Sequence, residues 1–389
     1  MTTAIPFNKP YVNDAGRRYI AEALSSTSHS GDGPFTRKCH ALLQSLLGVP
    51  KVLLTTSCTH ALEMTALLLR LQPGDEVIVP SFTFTSTANA FALRGARIVF
   101  ADIRPDTLNL DERQVERLIT NRTRAIIVVH YAGVGCEMDV LLEIAKRHGI
   151  AVIEDNAHGL FGKYRGRYLG TFGDLAAQSF HETKNFSCGE GGALVINEPK
   201  LIEDAEVIRE KGTNRSRFFR GEIDKYSWIG LGSSYLPSDI LAALLLSQLE
   251  ARDEIQLRRQ QIWQVYYAGL RQWAEQQGVG LPFTPAYCDQ AYHVFYLLLP
   301  SLEDRQALIS HLRSHGILAV FHYLPLHLSE FGRQWGGKEG DCPVTEDVSA
   351  RLLRLPFFYS LTDSEQTRIV ESICSFVPKS VSTRLASMA

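Results

Sequence analysis

Seven short apolar and β-branched runs, alternating with helical stretches, constrain this chain more than any other feature of its sequence. The runs fall at residues 51–56, 76–80, 98–101, 125–130, 151–155, 176–180 and 193–197. Several are apolar at odd and even positions alike, as strands covered on both faces are; a strand with one wet face alternates instead. Helical patterns separate them, at 59–71 and 138–148 among others. The second sets Met138, Leu141, Leu142, Ile144 and Ala145 along one face. This order predicts an α/β fold with a mostly parallel central sheet flanked by helices. Active sites of such sheets gather at the carboxyl ends of the strands.

After residue 197 the pattern changes. A basic, aromatic, glycine-containing stretch at 211–232 leads to one long helix. It is expected to begin near Pro237, a residue suited to a first turn, and to run to about residue 276. A smaller α/β unit follows. At 389 residues the chain exceeds one small core, so two domains are expected. The large one spans 1–250 with an N-terminal arm, and the small C-terminal one spans 251–389. The polar tail at 378–389 is expected to fray.

Composition narrows the partners. A net charge of −2 speaks against a general nucleic-acid binder. The longest purely apolar run, 240–246, is far shorter than the roughly 18 residues a membrane span needs. No basic segment followed by an apolar one opens the chain, so no signal peptide is expected. Seven scattered cysteines without a CxxC pair argue against a disulfide framework or a metal site, and suit the cytoplasm.

Four strand ends carry residues with chemistry. Thr55-Thr56-Ser57-Cys58-Thr59-His60 runs into a helix, where hydroxyls and open N–H groups form an anion site. Simple N-capping by Ser57 or Thr59 is the plainer reading. Val152-Ile153-Glu154-Asp155-Asn156-Ala157-His158 ends an apolar strand in a carboxylate. Such a group can keep a pyridine nitrogen protonated, as pyridoxal phosphate (PLP) chemistry requires, or can cap a turn. In Ser179-Phe180-His181-Glu182-Thr183-Lys184-Asn185, ahead of Gly189-Glu190-Gly191-Gly192, a lysine follows a buried strand. In an apolar pocket its pKa falls and it becomes a nucleophile; in a wet loop it does neither. In the fourth, Pro80 to Asn89, Phe84 can stack on a planar cofactor or belong to the core. Each item alone is weak, and the conjunction is what points to PLP. G-x-G-x-x-G, G-x-x-x-x-G-K-[ST] and H-E-x-x-H are all missing.

With these motifs the chain resembles the DegT/DnrJ/EryC1/StrS sugar aminotransferases, of PLP fold type I. The resemblance extends from Ile5-Pro6-Phe7-Asn8-Lys9-Pro10 to about Val377. Its marks are Pro80-Ser81-Phe82-Thr83-Phe84, Glu154-Asp155-x-Ala157-His158, Ser179-Phe180-His181-x-x-Lys184-Asn185 and Gly189-Glu190-Gly191-Gly192. Within the family, Thr56-Ser57-Cys58-Thr59, His181-Glu182-Thr183-Lys184-Asn185 and the stretch from Lys211 to Gly221 are most similar to the dTDP-4-amino-4,6-dideoxygalactose transaminases. The resemblance implies that Lys184 holds the cofactor covalently and Asp155 pairs with its ring nitrogen. It implies that His158 meets the ring hydroxyl, with Phe84 on one ring face and Ala157 on the other. Ser179, Thr59 and the backbone at Cys58 and His60 are implied for the phosphate. A homodimer with shared active sites is implied as well. Two positions depart from the pattern: Asn156, where many relatives carry alanine, and Ser234, near where many carry an asparagine directed at the partner's phosphate.

The reaction so implied moves an amino group from L-glutamate to a nucleotide-linked keto-sugar, with dTDP-4-keto-6-deoxyglucose the favoured acceptor. Lys211, Arg215 and Arg220 lie in one short basic stretch with aromatic residues, suited to phosphates or simply solvated. His322, Tyr323 and His327 resemble a segment lining the sugar pocket, though such histidines are as often structural. Rival readings are a PLP-dependent sugar dehydratase, which in known cases lacks the lysine, and acceptors that are GDP-keto-sugars or inososes.

Overall fold

The computed structural model describes residues 4–379. Strands β1 (Lys51–Thr55), β2 (Glu76–Pro80), β3 (Arg97–Ala101), β4 (Thr123–Val129) and β5 (Ala151–Asp155) come first. A short hairpin, β6 (Lys163–Tyr164) and β7 (Arg167–Tyr168), precedes β8 (Leu175–Ser179) and β9 (Gly192–Ile196). Seven of these form one sheet in the order β1-β9-β8-β5-β4-β2-β3. Neighbours are parallel except at β9, which runs antiparallel to both β8 and β1. All seven expected runs are therefore strands of one mostly parallel sheet.

Burial on both faces explains why those runs lack alternation. Val77, Val79 and Ile127 pack on one side with helix residues Ala61 and Met64. Ile78, Ile126 and Val128 pack on the other with Leu141 and Ile144 of the helix Met138–His148. Truncating such a buried isoleucine to alanine costs about 2–5 kcal/mol.

The long helix expected from Pro237 is instead two helices. Ser238 is the N-cap, its hydroxyl accepting from the Leu241 N–H at 3.4 Å, and the first helix is Asp239–Glu250. Ala251 leaves helical geometry (φ −88°, ψ 14°), and Arg252–Gln277 follows, closed by Gly278 in the left-handed region at φ 63°. Beyond it, β10 (Cys288–Asp289) pairs with β6. Strands β11 (Tyr296–Leu298), β12 (Val320–Phe321) and β13 (Leu352–Arg354) form a second sheet with β13 in the centre. Ile262, Tyr266, Leu308, Leu353 and Ile369 build a separate core here. The N-terminal arm joins that core: Ile5 is buried in it, and the Ile5 N–H donates to the Gly316 carbonyl at 2.8 Å. Residues 380–389, most of the tail expected to fray, lie outside the described residues. Among the described residues no helix is long and apolar enough to cross a membrane.

Candidate functional site

A cavity of about 920 Å³ opens at the carboxyl ends of β2, β5 and β8 and is walled on its other side by β12, β13 and the segment after β12. Topology makes the convergence. Parallel β5 and β8 are neighbours, so Asp155, the last residue of β5, emerges beside the end of β8. Ser179 ends β8, and the connection to β9 carries Lys184 on a turn closed by its N–H to the His181 carbonyl at 2.9 Å. Asn185 ties the same turn to the C-terminal half, donating to the Ala291 carbonyl at 2.6 Å and lying 2.9 Å from His293 Nδ1.

The Glu154-Asp155 pair divides two tasks by strand alternation. Glu154 is fully buried and accepts from the N–H groups of Gly170, Phe172 and Gly173, each at 2.7 Å, with His130 Nε2 at 2.9 Å. It pins the loop ahead of β8. Asp155 points the other way, into the cavity. Its oxygens accept from Thr87 Oγ1 at 2.7 Å and from the Ala157 N–H at 3.2 Å. Burial raises its pKa, and those two hydrogen bonds act against the rise. Thr87 is in turn 2.8 Å from Thr83 Oγ1.

Lys184 lines the same cavity. Burial lowers its pKa to about 8; the nearby Cys58 and Asp155 act upward and Arg354 downward. Such an amine is predominantly neutral, and so a nucleophile, above about pH 8, where an ordinary lysine is still almost wholly charged. His158 is held neutral, first by burial and then by the charges of Lys184 and Arg354. Its ring stacks on His293 at 4.2 Å, and its Nδ1 is buried without a hydrogen-bond partner among the described residues. Phe84 is 58% exposed, an unusual state for a phenylalanine at a strand end, and faces the cavity.

At the other end of the cavity the helix Cys58–Leu68 begins. Ser57 caps it, accepting from the His60 N–H at 3.1 Å, which leaves the N–H groups of Cys58 and Thr59 without an intrahelical acceptor. The helix start lies so close to β9 that a Cβ at Gly192 would collide with the backbone of Ser57 and Cys58. Open N–H groups, the Thr59 and Ser179 hydroxyls and a helix N-terminus form a cradle for a phosphate. Beside it on the cavity wall are the Phe84 ring, a carboxylate, a lysine amine and the orphaned His158 nitrogen. This donor set fits PLP.

The structure brings together Lys184, Asp155, His158, Ser179, Cys58, Thr59, Phe84, Ala157, His322 and Tyr323 on one cavity wall. Five expected residues are elsewhere. His60 is off the wall, its N–H held by Ser57 and its ring by the Thr56 hydroxyl. His327 is fully buried between Ser81 Oγ at 2.6 Å and Glu346 Oε1 at 3.0 Å, a structural tie between the two halves of the chain. Lys211 and Arg215 lie against Glu210, and Arg220 against Glu206 and Glu222, outside the cavity of this chain. Asn156 likewise turns from the cavity, donating to the Leu169 carbonyl at 3.0 Å and to Gln178 at 3.1 Å.

Tyr323 holds a strained backbone at φ 34°, with its hydroxyl 3.4 Å from His158 Nε2. His322 Nδ1 lies 2.9 Å from the Tyr131 hydroxyl. The sequence reading missed Thr87, His293 and Arg354. Thr83 and Thr87 flank the start of the helix Thr85–Ala92 in a hydroxyl-rich run visible in the sequence; nothing local marks the other two.

Fold and cavity define a PLP-dependent aminotransferase. The DegT/DnrJ/EryC1/StrS aminotransferase family pattern matches residues 11–374, and the chain belongs to that family. It is 33% identical over 387 residues to the spore coat polysaccharide biosynthesis protein SpsC of Bacillus subtilis, covering 96% of this chain and 97% of that one. Among solved structures, the putative sugar aminotransferase Spr1654 from Streptococcus pneumoniae superimposes with a TM-score of 0.89 at 27% identity, over 99% of both chains. DesV of S. venezuelae does so with a TM-score of 0.85 at 32% identity, over 97% of this chain and all of that one.

Proposed function

We propose that this enzyme transfers an amino group from L-glutamate to C4 of a nucleotide-linked 4-keto-6-deoxyhexose, with dTDP-4-keto-6-deoxyglucose as acceptor, in the cytoplasm. The observation that carries the aminotransfer chemistry is the meeting of Lys184 and Asp155 at neighbouring parallel strand ends in one cavity. When bound, PLP supplies an electron sink for the carbanion formed at the donor Cα. Lys184 would hold the cofactor, and its amine would move the proton at the donor Cα. Asp155, fixed by Thr87, would pair with the ring nitrogen, and His158 would meet the ring hydroxyl. Phe84 and Ala157 would border the ring, and the start of the helix Cys58–Leu68 with Ser179 would hold the phosphate. His322 and Tyr323 border the sugar.

The sugar reading is supported by family membership and by the resemblance to SpsC, a spore coat polysaccharide biosynthesis protein, and to the putative sugar aminotransferase Spr1654. A homodimer belongs to the same reading: the basic loop with Lys211, Arg215 and Arg220 then serves the partner's site. In the same reading the chain divides into domains 1–250 and 251–389, a boundary supported by the helix break at Ala251. Incubation with L-glutamate and dTDP-4-keto-6-deoxyglucose, followed by NMR of the product, tests the assignment. A new amine at C4 is expected. No turnover there, with turnover on a GDP-keto-sugar or an inosose, overturns the acceptor.

A further inference from the structure

Only two lysine or arginine side chains reach the cavity wall among the described residues, Lys184 and Arg354. Arg354 has no role in holding the cofactor described above. It closes β13, the central strand of the second sheet, opposite Tyr296 on one side and Val320 on the other. Its guanidinium lies over the Phe7 ring at 4.8 Å and donates through Nη2 to the Phe321 carbonyl at 3.1 Å. Its Nε is buried without an acceptor.

The acids on the cavity wall are committed elsewhere. Asp155 accepts from Thr87 and Ala157, and Glu190 lies 3.7 Å from His181. Burial lowers the pKa of the Arg354 guanidinium from its ordinary value, with the neighbouring Tyr131 and Tyr323 acting less strongly the other way. A guanidinium partly buried against the Phe7 ring and the Phe321 backbone, with no ion pair to a carboxylate among the described residues, is costly in isolation. It becomes favourable when a planar two-oxygen anion arrives.

We propose that Arg354 is the carboxylate receptor of this site, recognising a carboxylate carried by a substrate. The inference rests on the aminotransferase reading of the cavity. A diphosphate suits the position less well, because it calls for several cations: in the dimer proposed above those come from the partner's basic loop, whereas Arg354 stands alone on this side of the wall. A carboxylate can come from two sources. Every amino-acid donor carries one on the carbon that Lys184 must reach; an acidic keto-sugar would carry one on the ring. The donor is the expected source.

The test uses protein loaded with PLP and follows equilibrium binding by calorimetry, in the natural sequence and in Arg354→Gln and Arg354→Lys. The probes are 2-oxoglutarate, UDP-glucuronate and UDP-glucose. Affinity for 2-oxoglutarate is expected to fall roughly 10- to 100-fold in Arg354→Gln and to recover in part in Arg354→Lys. A preference for UDP-glucuronate over UDP-glucose that Arg354→Gln abolishes would support the receptor and assign it to the acceptor. Unchanged binding of both acids in the variants overturns the proposal. Where Arg354→Gln fails to fold, Arg354→Lys decides, because loss of the guanidinium fork alone must lower acid binding. The borohydride-sensitive cofactor absorbance is read in every sample. Its absence in the natural protein would count against the cofactor reading and not against Arg354.

Discussion

The strand-end cavity and the basic loop at 211–232 look equally functional as strings of residues, yet the fold treats them in opposite ways. At the strand ends, polar groups are enclosed and directed at one space: Thr87 fixes Asp155, burial tunes Lys184, and Asn185 anchors the lysine turn. In the loop, Arg217 and Arg220 are spent on Glu203, Glu206 and Glu222, and the aromatic residues stand in solvent, with Trp228 78% exposed. The first arrangement gathers its groups from one chain onto one cavity. The second is the surface of something unfinished, which suits a partner-facing element. Cofactor chemistry and sugar recognition are thus expected to respond separately to mutation.

The largest separation should come from Lys184→Ala, which is expected to lower turnover by at least about 10⁴-fold and to abolish the cofactor absorbance at roughly 410–430 nm. Steady-state rates and a visible spectrum check both. Asp155→Asn should follow, with kcat falling on the order of 100- to 1,000-fold while the absorbance persists. Capture of PLP by the apoprotein should depend on pH through the lysine. With a pKa lowered to about 8, the neutral amine predominates above that pH, and the capture rate falls about tenfold per unit below it. Stopped-flow traces that instead find a midpoint near 10.5, the ordinary lysine value, would show that burial does not act on this amine.

Smaller effects sharpen the contrast. Thr87→Val removes one hydrogen bond to the buried carboxylate and should cost about tenfold in kcat/KM for both half-reactions. In the loop, Arg215→Gln combined with Arg220→Gln should raise the KM of the nucleotide sugar about five- to tenfold. The donor half-reaction, measured in single turnover, should not change. An equal loss in both halves would erase the distinction between the two regions.

The same contrast explains what the sequence made legible. Strands buried on both faces advertise themselves by unbroken apolar runs, and Asp155, Ser179 and Lys184, at or just past their carboxyl ends, become legible as a site only when taken together. The break at Ala251 has no such mark, because no Gly or Pro interrupts the helical pattern there, and the helix before it packs in one core while most of the helix after it packs in another. Arg354 and His293 reach the cavity from the C-terminal half, through contacts that periodicity does not encode. His327 shows the opposite error: a motif-like histidine whose ring is fully used in holding Ser81 and Glu346.

The central claim is that Lys184 holds the cofactor in this cavity. Reducing the PLP-loaded protein with borohydride, digesting it and locating the pyridoxyl mass by peptide sequencing tests it most directly. The label is expected on Lys184 alone. A label on another lysine, or an unlabelled Lys184 peptide from a protein that still transaminates, would contradict the account.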